Sequence, residues 1–264
     1  MDRTYHSISD IPGSEMKNIG ITSWNYNSGL PIISKYMEYI KNAGYNPIEI
    51  TANSFKIVQK CDGLVLPGGL DVTPELFGFE NKHSYCNKAL DKFEIPVFLY
   101  FFNKKLPILG ICRGAQLIFS IVFNSLRKSP SSITSNLEFS QHLNGHYNKI
   151  RHQQTLKRIK HFSKNIRKYP THKVYSFNDN KYMEVNSFHH QGIVMKRKLF
   201  DRIIDNKLSA YKDYEIIFDW YTTEGMPKDE VLIEGFHLRN HPIIGVQWHP
   251  EEMNQIELLK EVFQ

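Results

Sequence analysis

"PILGICRGAQLIFSIVF", residues 107–123, decides how this chain is read. An apolar run stops at Gly110, exposes one cysteine and restarts as a second apolar run. "LPILGI" (106–111) has the length and composition of a strand buried on both faces. "GAQLIFSIVFNSL" (114–126) is apolar almost all round, which predicts an internal helix. Between them lies Gly110-Ile111-Cys112-Arg113-Gly114. A Gly-x-Cys-x-Gly step from strand to helix is a turn so sharp that its central residue sits in a strained backbone conformation. The flanking glycines leave room where side chains would collide. The thiol is then held at the strand's carboxyl end, beside the N–H groups that open the helix. A buried structural cysteine beside tight glycines fits the same five residues, so this stretch alone leaves both readings open.

The neighbouring segments repeat the alternation. "NIGITSW" (18–24) reads as a short buried strand. "PIISKYMEYIKNAG" (31–44) reads as a helix, with Pro31 suited to a first helical position and Ile33, Tyr36, Met37 and Ile40 on one face. Gly44 suits its C-terminal cap. "NPIEI" is a second strand, followed by a short helical piece, the strand Leu64-Val65-Leu66 and a Pro-Gly-Gly turn. "LDKFEIPVFLYFFNKK" (90–105) reads as a helix, although Pro96 counts against its first part. "IIGVQW" (243–248) reads as a strand and "EMNQIELLKEVF" (252–263) as a closing helix. Residues 125–185 give the weakest pattern. Strands alternating with helices predict a mostly parallel sheet covered on both faces.

Composition narrows the class. The chain has 264 residues, of which 41% are hydrophobic and 23% charged, so one large α/β domain with a sizeable core is expected and wholesale disorder is not. Three cysteines, Cys61, Cys86 and Cys112, are too few for a disulfide scaffold and lack metal-ligand spacing; they suit a reducing compartment. The polar N-terminus has no apolar core of a signal peptide, and no apolar run approaches the roughly 18 residues of a membrane span. A cytoplasmic protein without a membrane partner is expected. The formal net charge is +6. Much of the excess sits in "KIRHQQTLKRIKHFSKNIRKYPTHK" (149–173), which reads as a solvated basic surface; no nucleic-acid module accompanies it, and nucleic acid is not expected as a partner.

Two further stretches bear on Cys112. "LPGGLDV" (66–72) follows a buried strand, and a Gly-Gly turn at a strand end offers unobstructed N–H groups of the kind an oxyanion hole needs. "GVQWHPEE" (245–252) sets His249 and Glu251 just beyond another strand. A cysteine nucleophile needs an imidazole to take its proton, and the imidazole needs a carboxylate to fix its tautomer. His-Pro-Glu supplies both, with the proline stiffening the pair. All three elements fall at strand ends, where open α/β sheets place their sites.

"DGLVLPGGLDVTPELFG", "GICRGAQ", "NSFHHQG" and "GVQWHPE", in this order, resemble the class I glutamine amidotransferase-like family, in its γ-glutamyl hydrolase (cysteine peptidase C26) branch, which includes γ-glutamyl-γ-aminobutyrate hydrolases. The resemblance covers about residues 18–124 and 174–262. It implies a flavodoxin-like three-layer sandwich with a central, mostly parallel sheet, formed by residues 18–264 after an extension of residues 1–17. It implies Cys112 as nucleophile, His249 as general base and then acid, and Glu251 as the orienting carboxylate. Backbone N–H groups of Gly69 and Arg113 would form the oxyanion hole. Gln116 would help hold the glutamyl group, and Ser187, Phe188 and His189 would line the other side of its pocket. His189, not His190, matches the family's histidine. Arginine after the cysteine resembles the stand-alone hydrolases.

The implied reaction is hydrolysis of a γ-glutamyl amide through a γ-glutamyl thioester, with no metal or cofactor. The substrate is a small γ-glutamyl compound; the basic segment would suit an anionic leaving group. An ammonia-donating glutaminase component and a non-enzymatic binding protein on the same scaffold are the alternatives. The oligomeric state is open, a homodimer included. Asp71 is expected to shape the Gly-Gly turn, Trp248 to pack the strand end, and Cys61 and Cys86 to be ordinary small residues. The chain departs from the family at Leu90, where an arginine is usual, and in "VFNSLRKSP" (122–130), where a Gly-Gly pair is usual.

Overall fold

The structure is a computed structural model that describes residues 16–24, 32–77, 80–81, 84–127, 137–140, 171–189, 191–204, 216–224 and 226–264. Its first half alternates as the apolar runs require: β1 (Asn18–Thr22), α1 (Ile32–Asn42), β2 (Asn46–Ile50), a 3-10 segment (Ala52–Lys60), β3 (Gly63–Leu66), α2 (Lys88–Asn103), β4 (Ile108–Ile111) and α3 (Arg113–Arg127). The second half is richer in strands: β5 (Leu137–Ser140), β6 (Thr171–Ser176), β7 (Lys181–Asn186), β8 (Gly192–Lys196), α4 (Arg197–Ile204), β9 (Ile216–Thr222), β10 (Glu230–Leu238) and β11 (Ile243–Val246). Two short helices, α5 (Pro250–Met253) and α6 (Ile256–Val262), close the chain.

One sheet runs through the molecule in the order β2-β1-β3-β4-β11-β10-β9-β6-β7, with β8 on β10 and β5 on β8. The pairs from β2 to β11 are all parallel, the flavodoxin-like arrangement. From β10 outward the pairing is antiparallel. Alternation along the central strands explains the three layers. Leu64 and Leu66 of β3 face the core made with α2 and α3, whereas Val65 joins the opposite core with residues of α1 and α6. Both faces are covered there, so the central strands β3, β4 and β11 are continuous buried apolar runs, whereas the edge strand β2 is not.

Two helical expectations need correction. Pro96 does not disturb the start of α2, which begins at Lys88 and runs through the proline. Asn87 caps it, its Oδ1 accepting the N–H groups of Ala89 and Leu90 at 2.9 and 3.3 Å. The closing helix is not continuous: Asn254 turns left-handed at φ 51° and divides α5 from α6. Gly44 ends α1 at φ +89°, as expected of a C-terminal cap. Among the described residues, no helix is long and apolar enough to cross a membrane.

Candidate active site

Cys112 joins β4 to α3 with φ +51°, in the left-handed region that costs an L-residue roughly 1–2 kcal/mol. Its surroundings hold it there. The Cys112 N–H donates to the Val246 carbonyl at 2.7 Å, and the Cys112 carbonyl accepts the Gln116 N–H at 3.1 Å. The flanking glycines are needed: a Cβ on Gly114 would lie 2.1 Å from the Leu66 carbonyl oxygen, and one on Gly110 would lie 2.8 Å from the Ala115 nitrogen. Backbone from β3, β4 and α3 therefore meets at the turn, and the cysteine remains 8% exposed.

β3, β4 and β11 are adjacent and parallel, so their carboxyl ends share one edge of the sheet. The Gly68-Gly69 turn, Cys112 and His249 all sit just beyond that edge. His249 precedes α5, with Pro250 opening the helix and Glu251 in its first turn. Its Nδ1 lies 2.6 Å from Glu251 Oε1. A carboxylate only accepts, so Nδ1 carries the proton and Nε2 is the nitrogen left for Cys112. Burial alone would lower the imidazole's proton affinity. The charge and hydrogen bond of Cys112, then those of Glu251, outweigh burial and push its pKa up to about 10. The imidazole is thus held in its charged form beside the Cys112 sulfur.

Three neighbours steady this histidine. The Asn186 side chain clamps its backbone, accepting the His249 N–H at 2.8 Å and donating to the His249 carbonyl at 2.7 Å. The Phe188 ring meets the imidazole edge-on at 5.4 Å between centroids. The Tyr36 hydroxyl accepts the Gly68 N–H at 3.0 Å and lies 3.3 Å from His249 Nδ1. Burial, then the Glu251 charge, push the Tyr36 hydroxyl well up, so it stays protonated. A Cβ on Gly68 would lie 2.7 Å from His249 Cε1, so glycine there makes space for the ring.

The remaining expected residues divide. Tyr36 takes the Gly68 N–H, leaving Gly69, which is exposed, as the glycine whose N–H can face an oxyanion. Arg113 opens α3, where backbone N–H groups lack intrahelical acceptors. Its side chain is 2% exposed and ion-pairs with Asp91 and Glu94 of α2, turned into the core. Gln116 is buried and donates through Nε2 to the Gln191 carbonyl and to Gln247 Oε1, both at 3.1 Å. Ser187 and Phe188 follow β7 beside His249. The His189 ring is 1% exposed; its Nδ1 donates to the Gln191 carbonyl at 2.9 Å and its Nε2 lies 3.7 Å from Glu234. His189 therefore braces this wall from behind.

Asp71 ties the turn to a neighbouring segment, its carboxylate accepting the Tyr85 N–H at 2.9 Å. Trp248 is buried edge-on against Trp220. Cys61 is buried, and Cys86 half-buried. His190 and residues 149–170 of the basic segment lie outside the described residues. Among the described residues, no group of three His, Cys, Asp or Glu side chains is arranged to hold a metal ion.

Sequence reasoning missed Tyr36, which it read only as a core-facing residue, as well as Asn186, Gln247 and the Asp91–Arg113–Glu94 cluster. Asn186 and Gln247 were inside quoted motifs; the polarity of Gln247 just past the apolar strand β11 was the available signal, whereas β7 before Asn186 is itself polar.

Comparison with known proteins agrees with this architecture. A profile of the peptidase C26 family matches residues 13–251. YvdE of Lactococcus lactis, described as glutamine amidotransferase-like, is 29% identical over 215 residues, 78% of this chain and 72% of its own length. RP404 of Rickettsia prowazekii, described likewise, is 29% identical over 255 residues, 83% of this chain and 82% of its own. The structure of PurLQS from Thermotoga maritima superposes with a TM-score of 0.53 at 13% identity, covering 95% of this chain and 97% of that one. The glutaminase domain of Trypanosoma brucei CTPS, with bound acivicin, gives 0.52 at 10% identity and covers 94% of both. At such identities the two structures speak for the fold. Family and relatives make the protein an enzyme of the cysteine hydrolase and amidotransferase type, acting on amides. The chain belongs to the peptidase C26 family.

Proposed function

We propose that the protein hydrolyses the γ-glutamyl amide bond of a small γ-glutamyl compound. The observation that carries this reading is the pairing of Cys112, on its left-handed elbow, with an imidazole that Cys112 and Glu251 keep charged to about pH 10. The Cys112 thiolate attacks the γ-carbonyl carbon, and the oxyanion is received by the N–H groups of Gly69 and Arg113. As the C–N bond breaks, His249 gives its Nε2 proton to the departing amine, and a γ-glutamyl thioester remains. His249 then takes a proton from water, the hydroxide adds to the thioester, and the C–S bond breaks with its electron pair returning to sulfur. Glutamate leaves. Glu251 orients the imidazole throughout. Gln116 Oε1, Ser187 and Phe188 hold the glutamyl group.

The purified chain should release glutamate from a substituted γ-glutamyl amide without a partner, and faster than from glutamine at equal concentration. Cys112→Ala should abolish release. A preference for glutamine that appears only with a second protein would instead identify an ammonia donor. No turnover of either amide would leave the binding-protein reading. We further propose that the 149–173 segment favours an anionic amine. Charge reversal at Arg151, Lys157 and Arg158 should then raise KM for such a substrate and leave that for a neutral amide unchanged; equal effects on both would refute it.

A further inference from the structure

A chain of amides leads from the nucleophile into the core, and its polarity can be worked out link by link. It starts at the Gln191 carbonyl, which only accepts. Gln116 must therefore present Nε2 to it, at 3.1 Å. The same Nε2 has a second proton, which goes to Gln247 Oε1 at 3.1 Å. With its oxygen so engaged, Gln247 must turn Nε2 the other way, where Cys112 Sγ lies at 3.5 Å, a hydrogen-bond length for sulfur. The Gln247 backbone is fixed as well, its N–H donating to the Glu234 carbonyl at 2.7 Å. His189 steadies the far end by donating to the same Gln191 carbonyl. Each amide orientation is dictated by the next, and the last one aims a donor at sulfur.

We propose that Gln247 is a further catalytic residue, whose carboxamide donates a hydrogen bond to the Cys112 sulfur when it carries charge, with Gln116 as the positioning residue that fixes the orientation. The inference rests on Cys112 being the nucleophile. Sulfur bears negative charge twice in the cycle: before attack, and again when the C–S bond of the thioester breaks and the electron pair returns to it. A donor strengthens as its acceptor gains charge, so Gln247 favours both the resting thiolate and its departure as leaving group. The Gln247 side chain is buried with its partners. Among the described residues, the titratable groups that interact with Cys112 are His249 and Tyr36, with Glu251 behind the imidazole.

The test needs no substrate, so its failure is distinguishable from failure of the proposed hydrolysis. Alkylation of Cys112 by iodoacetamide would be followed from pH 5.5 to 8.5 in the full-length chain, with peptide mapping to exclude Cys61 and Cys86. Gln247→Met keeps the length of the side chain and loses the donor; alkylation at pH 6 should slow roughly tenfold, the value of one charge-assisted hydrogen bond. Gln247→Glu sets an acceptor against the thiolate and should be slower still. Gln116→Met, which frees the Gln247 amide to turn, should fall between wild type and Gln247→Met. If Gln247→Met does not fold, the isosteric Gln247→Glu carries the test by the same readout. A folded Gln247→Met or Gln247→Glu whose alkylation profile superimposes on the wild type would overturn the proposal.

Discussion

Arg113 follows Cys112 in the chain, but its side chain is turned into the core, where it holds two carboxylates. The guanidinium ion-pairs with both Asp91 and Glu94, and all three side chains are 2–4% exposed. Among the described residues, each carboxylate also accepts one neutral donor: the Thr73 N–H reaches Asp91 Oδ2 at 3.1 Å, and the Thr22 hydroxyl reaches Glu94 Oε1 at 2.6 Å. Arg113→Met keeps the length of the stem and removes the cation. Two buried carboxylates would then share only neutral donors. Breaking a buried pair from one side costs about 3–5 kcal/mol, and two carboxylates are stranded here, so the upper end, about 5 kcal/mol, is expected. At roughly 2–4 °C per kcal/mol in a protein of this size, the midpoint of thermal unfolding should fall by more than about 10 °C.

Neutralising both partners separates charge from packing. The triple variant Arg113→Met/Asp91→Asn/Glu94→Gln retains acceptors for Thr73 and Thr22, and should return to within about 2 kcal/mol of wild type. Urea unfolding followed by circular dichroism would give the three stabilities. A single variant within about 1 kcal/mol of wild type, or a triple variant no more stable than the single one, would refute the structural role.

Other outcomes follow from the same geometry. Burial, then the Asp62 charge, push the Cys61 thiol up to about 11, so substoichiometric alkylation at pH 7 should label Cys112 well ahead of Cys61 in a peptide map; equal labelling would count against a reactive Cys112. The His249 imidazole has a folded pKa raised to about 10, from 6.5. Its contribution to stability is therefore fully present below about pH 6.5 and is lost as pH rises towards 10; a thermal midpoint falling between pH 7 and 10 in wild type, and much less in His249→Asn, is expected. Gly68→Ala would set a carbon 2.7 Å from His249 Cε1, about 1 Å inside ordinary contact. The ring must move, and kcat should fall about a hundredfold with little loss of stability; a change under threefold would show that the ring's position is not critical.

The parallel half and the elbow were legible because they depend on local signals. Apolar runs mark β3 and β4 as strands buried on both faces, and glycines around Cys112 announce a turn that side chains would block. Pro96 misled because two devices hold the start of α2: the local Asn87 cap, and the Asp91 and Glu94 pairs with Arg113, which no local rule contains. The antiparallel half was largely unread. Glu234 illustrates why: it is fully buried in β10, which looks wrong for a carboxylate until His172 and His189 are found beside it. Burial would raise the proton affinity of Glu234, but those two histidines outweigh it and hold it low. They are distant in sequence, so the burial of Glu234 cannot be inferred from its own segment. Gln247 and Asn186 were obscure for the same reason, since their partners lie 135 and 63 residues away.

The antiparallel half is nonetheless part of how the site is made. β7 stands four strands from β11 in the sheet order. In a flat sheet four spacings of about 4.8 Å would put their ends roughly 19 Å apart. Yet Asn186, the last residue of β7, hydrogen-bonds the backbone of His249, three residues past β11. The sheet must curl over to close that distance. Register between β9 and β10 slips on both sides of Gly235, and such irregularities sharpen twist and bend. At the slip the Trp220 ring lies against the Gly235 backbone, so closely that a Cβ there would meet Trp220 Cε3 at 2.4 Å. The same ring packs edge-on against Trp248, the residue before His249. Gly235 thus leaves room for Trp220 at the slip, and Trp220 packs against Trp248, the residue before His249. The elbow positions the sulfur from the parallel half, and the curled antiparallel half positions the imidazole that answers it.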